Sequence, residues 1–230
     1  MPDWKERAAR AAARHDDGLE RVPETPDERQ RQLTRAGNAA WAAGLCLLML
    51  GRREEATAWL GRAAERYRES WPDAPPGSWG RPIGAMKSRL IAGDLDGARE
   101  DADWALEAGA AESESPIGRY AAALASLVRG EDAEAASLAA PLQGREGFPQ
   151  AVAHSLVALA AGDAAGYDRA IRALVADFEA RDEFLEDVPV ADTVLALQAL
   201  ATERGLSIPL ASPMLPRGAS GPAGWPAPGS

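Results

Sequence analysis

The chain has 230 residues, a formal net charge of −10 at pH 7 and 46% hydrophobic residues, enough for the packed core of one domain or two small ones. This acidic balance argues against a general nucleic-acid binder and against an anionic membrane surface as partner, because both require a basic face. The single cysteine, Cys46, excludes an intramolecular disulfide framework and any zinc ribbon. The first residues lack a signal-peptide pattern, and the longest nearly apolar stretch, 39–50, is too short to span a bilayer, so we expect a cytoplasmic protein.

Abundant alanine and scarce β-branched residues predict an all-α fold. Thr25-Pro26 and Ser115-Pro116 are typical helix starts. The predicted helices cover residues 3–17, 26–50, 53–69, 82–92, 96–108, 116–129, 132–142, 149–161, 164–181 and 189–204. We predict a single domain over 1–215, which would divide, if anywhere, at the Pro-rich linker 71–80. The tail 216–230 is rich in Pro, Gly and Ala, and we expect it to be disordered.

An internal repeat follows the helix pattern. A leucine, a glycine three residues later and a small residue five positions after the glycine recur along the chain. The glycines are Gly51, Gly93, Gly130 and Gly162, with spacings of 42, 37 and 32 residues, and the fourth copy has Tyr167 at the small position. The motif resembles the tetratricopeptide repeat, which implies helical hairpins. Because the repeat length varies, we expect a degenerate, solenoid-like array of about ten helices rather than a regular superhelix.

Tryptophan is the commonest aromatic residue, with seven copies. Trp41, Trp59 and Trp104 fall at helical positions predicted to face the core of the repeats. Trp71 and Trp79 bracket the linker, and we expect them to hold it against the helices.

Residues for catalysis or metal binding are sparse. Neither His15 nor His154 has a second histidine or a cysteine at ligand spacing. His154 lies within the apolar segment 151–161 and is predicted to be packed, and Cys46 is predicted to be a buried small hydrophobe. The sequence therefore predicts a protein that is not an enzyme, with no catalytic residues, cofactor or metal.

Two acidic groups are the remaining polar feature, and net charges of +1, −6 and −5 over residues 1–70, 71–149 and 150–230 agree with their positions. The first group is Asp94, Asp96, Glu100, Asp101, Asp103 and Glu107. The second is Asp177, Glu179, Asp182, Glu183, Glu186 and Asp187, of which Glu179 is not a candidate contact. They are interpreted as a solvated face, as a surface for a basic partner or, with less support, as paired carboxylates for hydrolysis.

The C-terminal part resembles a known family. Its motifs are Gly162-Asp163-Ala164-Ala165-Gly166-Tyr167, Asp187-Val188-Pro189-Val190 and Ser212-Pro213-Met214-Leu215-Pro216. Their order over residues 116–217 resembles the end of the Immunity protein 49 family of bacterial polymorphic toxin systems. The resemblance implies a helical cytoplasmic antitoxin that neutralises a co-encoded toxin by direct binding, and it carries over no catalytic residues.

The leading hypothesis is therefore a non-enzymatic immunity protein whose acidic helices bind a toxin with a basic face. One alternative is a tetratricopeptide-like scaffold that binds a peptide or protein. A remote alternative is a hydrolase that uses carboxylates on an α–α array.

Overall fold

The structure, a computed structural model, describes residues 2–217 and has ten α-helices and no strand in that range. The helices are α1 (Trp4–Leu19), α2 (Pro26–Met49), α3 (Arg53–Glu69), α4 (Gly80–Ala92), α5 (Leu95–Glu107), α6 (Pro116–Arg129), α7 (Asp132–Ala139), α8 (Gln150–Ala161), α9 (Ala164–Glu179) and α10 (Asp192–Glu203). Short 3₁₀ turns cover Ala140–Leu142 and Leu185–Asp187. The prediction of an all-α fold is confirmed, and the predicted disordered tail lies outside the described residues from residue 218 onward.

Two of the differences between predicted and observed helix bounds lie next to prolines. Helix α7 ends at Ala139 and continues as a 3₁₀ turn, because Pro141 has no N–H to donate. The sequence predicts the last helix from Pro189, but it begins at Asp192, because the N–H groups of Val190 and Asp192 donate to carbonyls only two residues back in tight turns. There the N–H of Ala191 donates instead to the carbonyl of Met214, at 2.9 Å.

Four hairpins follow the predicted repeat: α2/α3, α4/α5, α6/α7 and α8/α9. Each first helix ends at a glycine with φ between 66° and 80°. The N–H of the next residue donates at 2.9 Å to a carbonyl five residues back, the six-to-one bond of a helix end closed by a left-handed residue. The repeat leucines, Leu48, Leu90, Leu127 and Leu159, are all buried. The repeat interpretation is thus confirmed at all four turns.

The small positions of the repeat lie in the core of the array. Ala56, Ala98 and Ala135 are fully buried. Tyr167 takes this position in the fourth hairpin and is also fully buried, and its hydroxyl donates to Oε1 of Gln198 in α10 at 2.9 Å. The fourth hairpin therefore contacts the last helix through the residue that departs from the motif.

Helix α10 is enclosed by the hairpins. Every residue from Thr193 to Ala201 is buried, so no side of these turns faces solvent. At its start, Asp192 forms an ion pair with Lys87 of α4. At its end, Arg204 Nη2 donates to the carbonyl of Leu127 and to Asp132, at 2.7 and 2.6 Å. One core cluster runs from Ala8 to Leu215, so α10 belongs to the core of the whole array.

The linker between α3 and α4 is held by aromatic contacts. The Trp71 ring lies 5.7 Å from Trp79 and 5.5 Å from Trp104, the latter edge to face. The prediction that Trp71 and Trp79 fix the linker is confirmed. Trp41 and Trp104 are buried as predicted, whereas Trp59 is only partly buried and packs at the edge of the core.

Candidate functional site

The first acidic group lies on helix α5, where internal ion pairs engage most of its members. These pairs are Asp94–Arg89 at 2.8 Å, Asp96–Arg99 at 2.8 Å and Asp103–Arg129. Asp94 also caps α5 by accepting from the N–H of Gly97. Glu100 and Glu107 are exposed, and their carboxylates form no ion pair within residues 2–217. A basic partner approaching α5 would therefore meet these two unpaired charges.

Asp101 departs from its predicted role as a contact residue. Its side chain is 3% exposed and lies 3.3 Å from Arg68 and 3.7 Å from Arg89, so a partner cannot reach it. Its Oδ2 has no hydrogen bond. Burial raises the pKa of this carboxyl to about 6, against the opposing effect of the two arginines. Asp101 is a structural group of the α3–α4–α5 packing, which the sequence did not reveal because its arginine partners come from other helices.

The second acidic group surrounds the loop between α9 and α10. Asp177, Asp182 and Glu183 are exposed and have no ion pair within the described part of the chain. Glu179 accepts a hydrogen bond from Ser212 at 2.6 Å. The Arg181 guanidinium lies over the Phe178 ring at 3.9 Å and neutralises none of these carboxylates by contact. This region therefore presents negative charge that has no internal partner, as a surface for a basic partner would require.

The end of this loop is fixed on helix α1. Glu186 forms an ion pair with Arg14 at 2.7 Å, and the carbonyl of Asp187 accepts from Arg7. Glu186 and Asp187 both have a φ of 57°, a left-handed conformation that residues other than glycine rarely adopt. Between the unpaired acids and this anchor lies Leu185, which is 54% exposed. We call residues 181–187 the acidic loop.

A cleft between α2, α3 and α4 was not anticipated from the sequence. It has a volume of about 390 Å³, and its lining includes Trp41, Tyr67, Arg81 and Leu185. Arg81 is 9% exposed and lies in the first turn of α4. A sequence signal existed in Gly80-Arg81-Pro82, where a cation precedes a proline in an apolar helix start, but it does not predict burial.

Of the two histidines, the one that is buried is His15 and not His154. His154 is exposed, so the prediction that it is packed was wrong: the alanine-rich helix α8 has one face open to solvent. His15 is buried instead, with its ring edge to face with Trp59 at 5.2 Å and its Nδ1 2.9 Å from Asp16. Cys46 is buried, and burial raises the pKa of its thiol to about 11, which opposes thiolate chemistry.

Within residues 2–217, no group of three or more His, Cys, Asp or Glu side chains is placed to hold a metal ion. In the same range, none of the helices combines the length and the apolar character that a membrane span requires.

Comparisons with protein-family models, with curated proteins and with solved structures find no match for this chain. The similarity of residues 116–217 to the Immunity protein 49 family stays a prediction.

Proposed function

We propose that this protein is a cytoplasmic immunity protein, not an enzyme, that neutralises a cognate bacterial toxin by binding its basic face. The observation that carries the proposal is the acidic loop, where the exposed Asp182 and Glu183, which have no ion pair within the described residues, precede the exposed Leu185. The resemblance of residues 116–217 to the Immunity protein 49 family is a second argument for it.

The charge of the loop suits fast association with a basic protein. Asp182 and Glu183 are exposed and lack cationic partners among the described residues, so their field extends into solvent. Complementary charges raise the association rate and exclude partners of the wrong sign. Glu100 and Glu107 on α5 supply further unpaired charge of the same sign.

The loop also presents an apolar side chain, Leu185, next to a backbone segment that is held in place. Leu185 precedes two residues that contacts from Arg7 and Arg14 hold in a left-handed conformation. A loop already held in one conformation loses less entropy on binding, which improves affinity. An apolar side chain surrounded by charged ones matches the core and rim of protein interfaces.

The alternatives have weaker support. A peptide-binding scaffold of this type would use the inner face of the array, and α10 already occupies that face. For a carboxylate hydrolase, the acid with a raised pKa is Asp101, which contacts two arginines rather than a second carboxyl.

The proposal is tested with the product of the adjacent gene. We expect the purified pair to bind with nanomolar affinity that falls as salt rises, measured by calorimetry at several salt concentrations. Failure to bind, or equal affinity for an unrelated basic protein such as cytochrome c, would contradict the proposal.

Paired charge reversals locate the surface. Asp182→Lys with Glu183→Lys should weaken binding about tenfold or more, mainly through the association rate. Glu112→Lys with Glu114→Lys makes the same charge change at exposed positions outside both acidic groups and is the matched control. Equal losses from the two double variants would show that only net charge matters. Loss confined to Glu100→Lys with Glu107→Lys would move the contact to α5.

A further inference from the structure

The cleft between α2, α3 and α4 contains a buried cation without a counter-charge. Arg81 Nε donates to Ser70 Oγ at 2.8 Å and to Thr34 Oγ1 at 3.2 Å, and Nη2 donates to Gln30 Oε1. All three acceptors are neutral, and Nη1 has no hydrogen bond within residues 2–217. Burial lowers the pKa of the guanidinium, and no carboxylate opposes this effect. Buried charges in proteins are normally paired, so this arginine lacks an anion.

The other charges of the cleft cancel. Lys87 forms an ion pair with Asp192 and also donates to Thr193 Oγ1 at 2.8 Å. Glu186 at the neighbouring loop is paired with Arg14. The cleft therefore carries a net charge of one positive unit, located at Arg81.

The N-terminus of α4, which borders the cleft, carries charge of the same sign as Arg81. Helix α4 starts at Gly80 with no side-chain cap and no acidic residue in its first turn. The N–H groups of Arg81 and Ile83 donate to the carbonyls of Ser78 and Trp79, so only the N–H of Gly80 has no acceptor within residues 2–217. This helix end carries partial positive charge. Asn38 of α2, which also lines the cleft, accepts from the Tyr67 hydroxyl at 2.9 Å, and its amide nitrogen has no hydrogen bond within the described residues. The residues that line the cleft thus include a guanidinium, an amide and Gly80, whose backbone N–H is free at the helix terminus.

From this arrangement, which goes beyond toxin binding, we propose that the cleft binds a small organic carboxylate. A single uncompensated positive charge matches a monoanion better than inorganic phosphate, which carries between one and two negative charges near neutral pH. Trp41 and Ile83 form apolar walls that favour an organic body beside the carboxylate. The volume of about 390 Å³ is in the range of small-molecule sites.

The first test uses the wild-type protein with benzoate, and with benzamide as the neutral analogue of the same shape. We expect benzoate to bind with a Kd of about 1 mM or tighter and to shift the indole N–H signal of Trp41 in a ¹⁵N-labelled sample. Benzamide should bind at least about tenfold more weakly, since it lacks the charge that Arg81 requires. Absence of benzoate binding, equal binding of benzamide, or tighter binding of phosphate would overturn the proposal.

A matched pair of variants at Gly80 tests the site without removing Arg81. Gly80 is exposed, lines the cleft, and has open space where a Cβ would be added. Gly80→Glu supplies a carboxylate from the protein, so it should melt at a higher temperature than Gly80→Gln and should lose benzoate binding. Gly80→Gln should still bind benzoate. Equal benzoate affinity of the two variants would contradict the proposal.

Arginine variants complete the test. Arg81→Gln should abolish the benzoate-dependent shift of Trp41, whereas Arg145→Gln, which changes an exposed arginine in the α7–α8 connection, should leave it unchanged. If Arg81→Gln does not fold, the wild-type measurement and the Gly80 pair still decide the outcome. Equal loss in Arg81→Gln and Arg145→Gln would identify non-specific anion binding and overturn the site.

Discussion

At the scale of single residues, burial rather than residue type decides what each ionisable group does. Asp101 and Asp96 share helix α5, yet Asp101 is buried between two arginines and Asp96 is 94% exposed. Burial is the main reason that the pKa of the Asp101 carboxyl is raised to about 6. This carboxyl must ionise in a site that disfavours charge, so its effect on stability depends on pH.

Asp101 should make the protein less stable as pH rises from about 4 to about 6. Its folded pKa lies above its unfolded value, so its favourable contribution is complete below pH 4 and is lost as pH rises through 6. The shift corresponds to a change in unfolding free energy of about 2–3 kcal/mol. The measurement is urea unfolding of the wild type and of Asp101→Asn at pH 4, 5, 6 and 7. As pH rises, the unfolding free energy of the wild type should fall relative to that of the variant. Asp96→Asn is the control and should run parallel to the wild type, and a parallel curve for Asp101→Asn would contradict the prediction.

Sequence reasoning succeeded where a residue's role is local and failed where it depends on distant chain segments. The turn glycines were predictable because a helix end closed by a left-handed residue is specified within six residues. The exposed His154 was missed because alanine is compatible with both faces of a surface helix. The burial of Arg81 and Asp101 was missed because their partners, such as Gln30 and Arg68, come from other helices.

At the scale of elements, the hairpins depend on small residues at fixed positions after each turn. Ala98 and Ala135 have no exposed surface, so each lies entirely within the packed core. Sequence spacing predicted these positions correctly. The helix bounds were less predictable, because Pro141 and Pro189 allow more than one local ending and tertiary contacts select among them.

Enlarging a small position should separate a hairpin. Ala135→Leu should reduce the unfolding free energy by about 1–3 kcal/mol, since the added atoms have no space between α6 and α7. Ala133→Leu in the same helix is exposed and should change stability by less than about 0.5 kcal/mol. Thermal melting followed by circular dichroism compares the two variants. Equal melting temperatures would show that the small position is not required for packing.

At the scale of the whole molecule, the C-terminal segment closes the array that the earlier hairpins build. The polar ends of α10 bind α4 on one side and the α6–α7 turn on the other. The acidic loop that precedes α10 binds α1 through Arg7 and Arg14. The sequence predicted the hairpins but not this closure, since the contacts join residues more than 70 positions apart.

Because of this closure, we expect a destabilising substitution in α10 to destabilise the N-terminal half as well. Leu197 is fully buried in α10, so Leu197→Ala should lower the unfolding free energy by about 2–5 kcal/mol, whereas Leu185→Ala at an exposed position should change it little. Six of the seven tryptophans lie between residues 4 and 104, so tryptophan fluorescence reports mainly on the N-terminal half and circular dichroism on all helices. Because one core cluster extends from Ala8 to Leu215, Leu197→Ala should lower the urea midpoints of the fluorescence and circular dichroism signals by the same amount. A fluorescence midpoint that stays unchanged in Leu197→Ala would mean that the chain divides at the linker 71–80 and that α10 stabilises only the later hairpins.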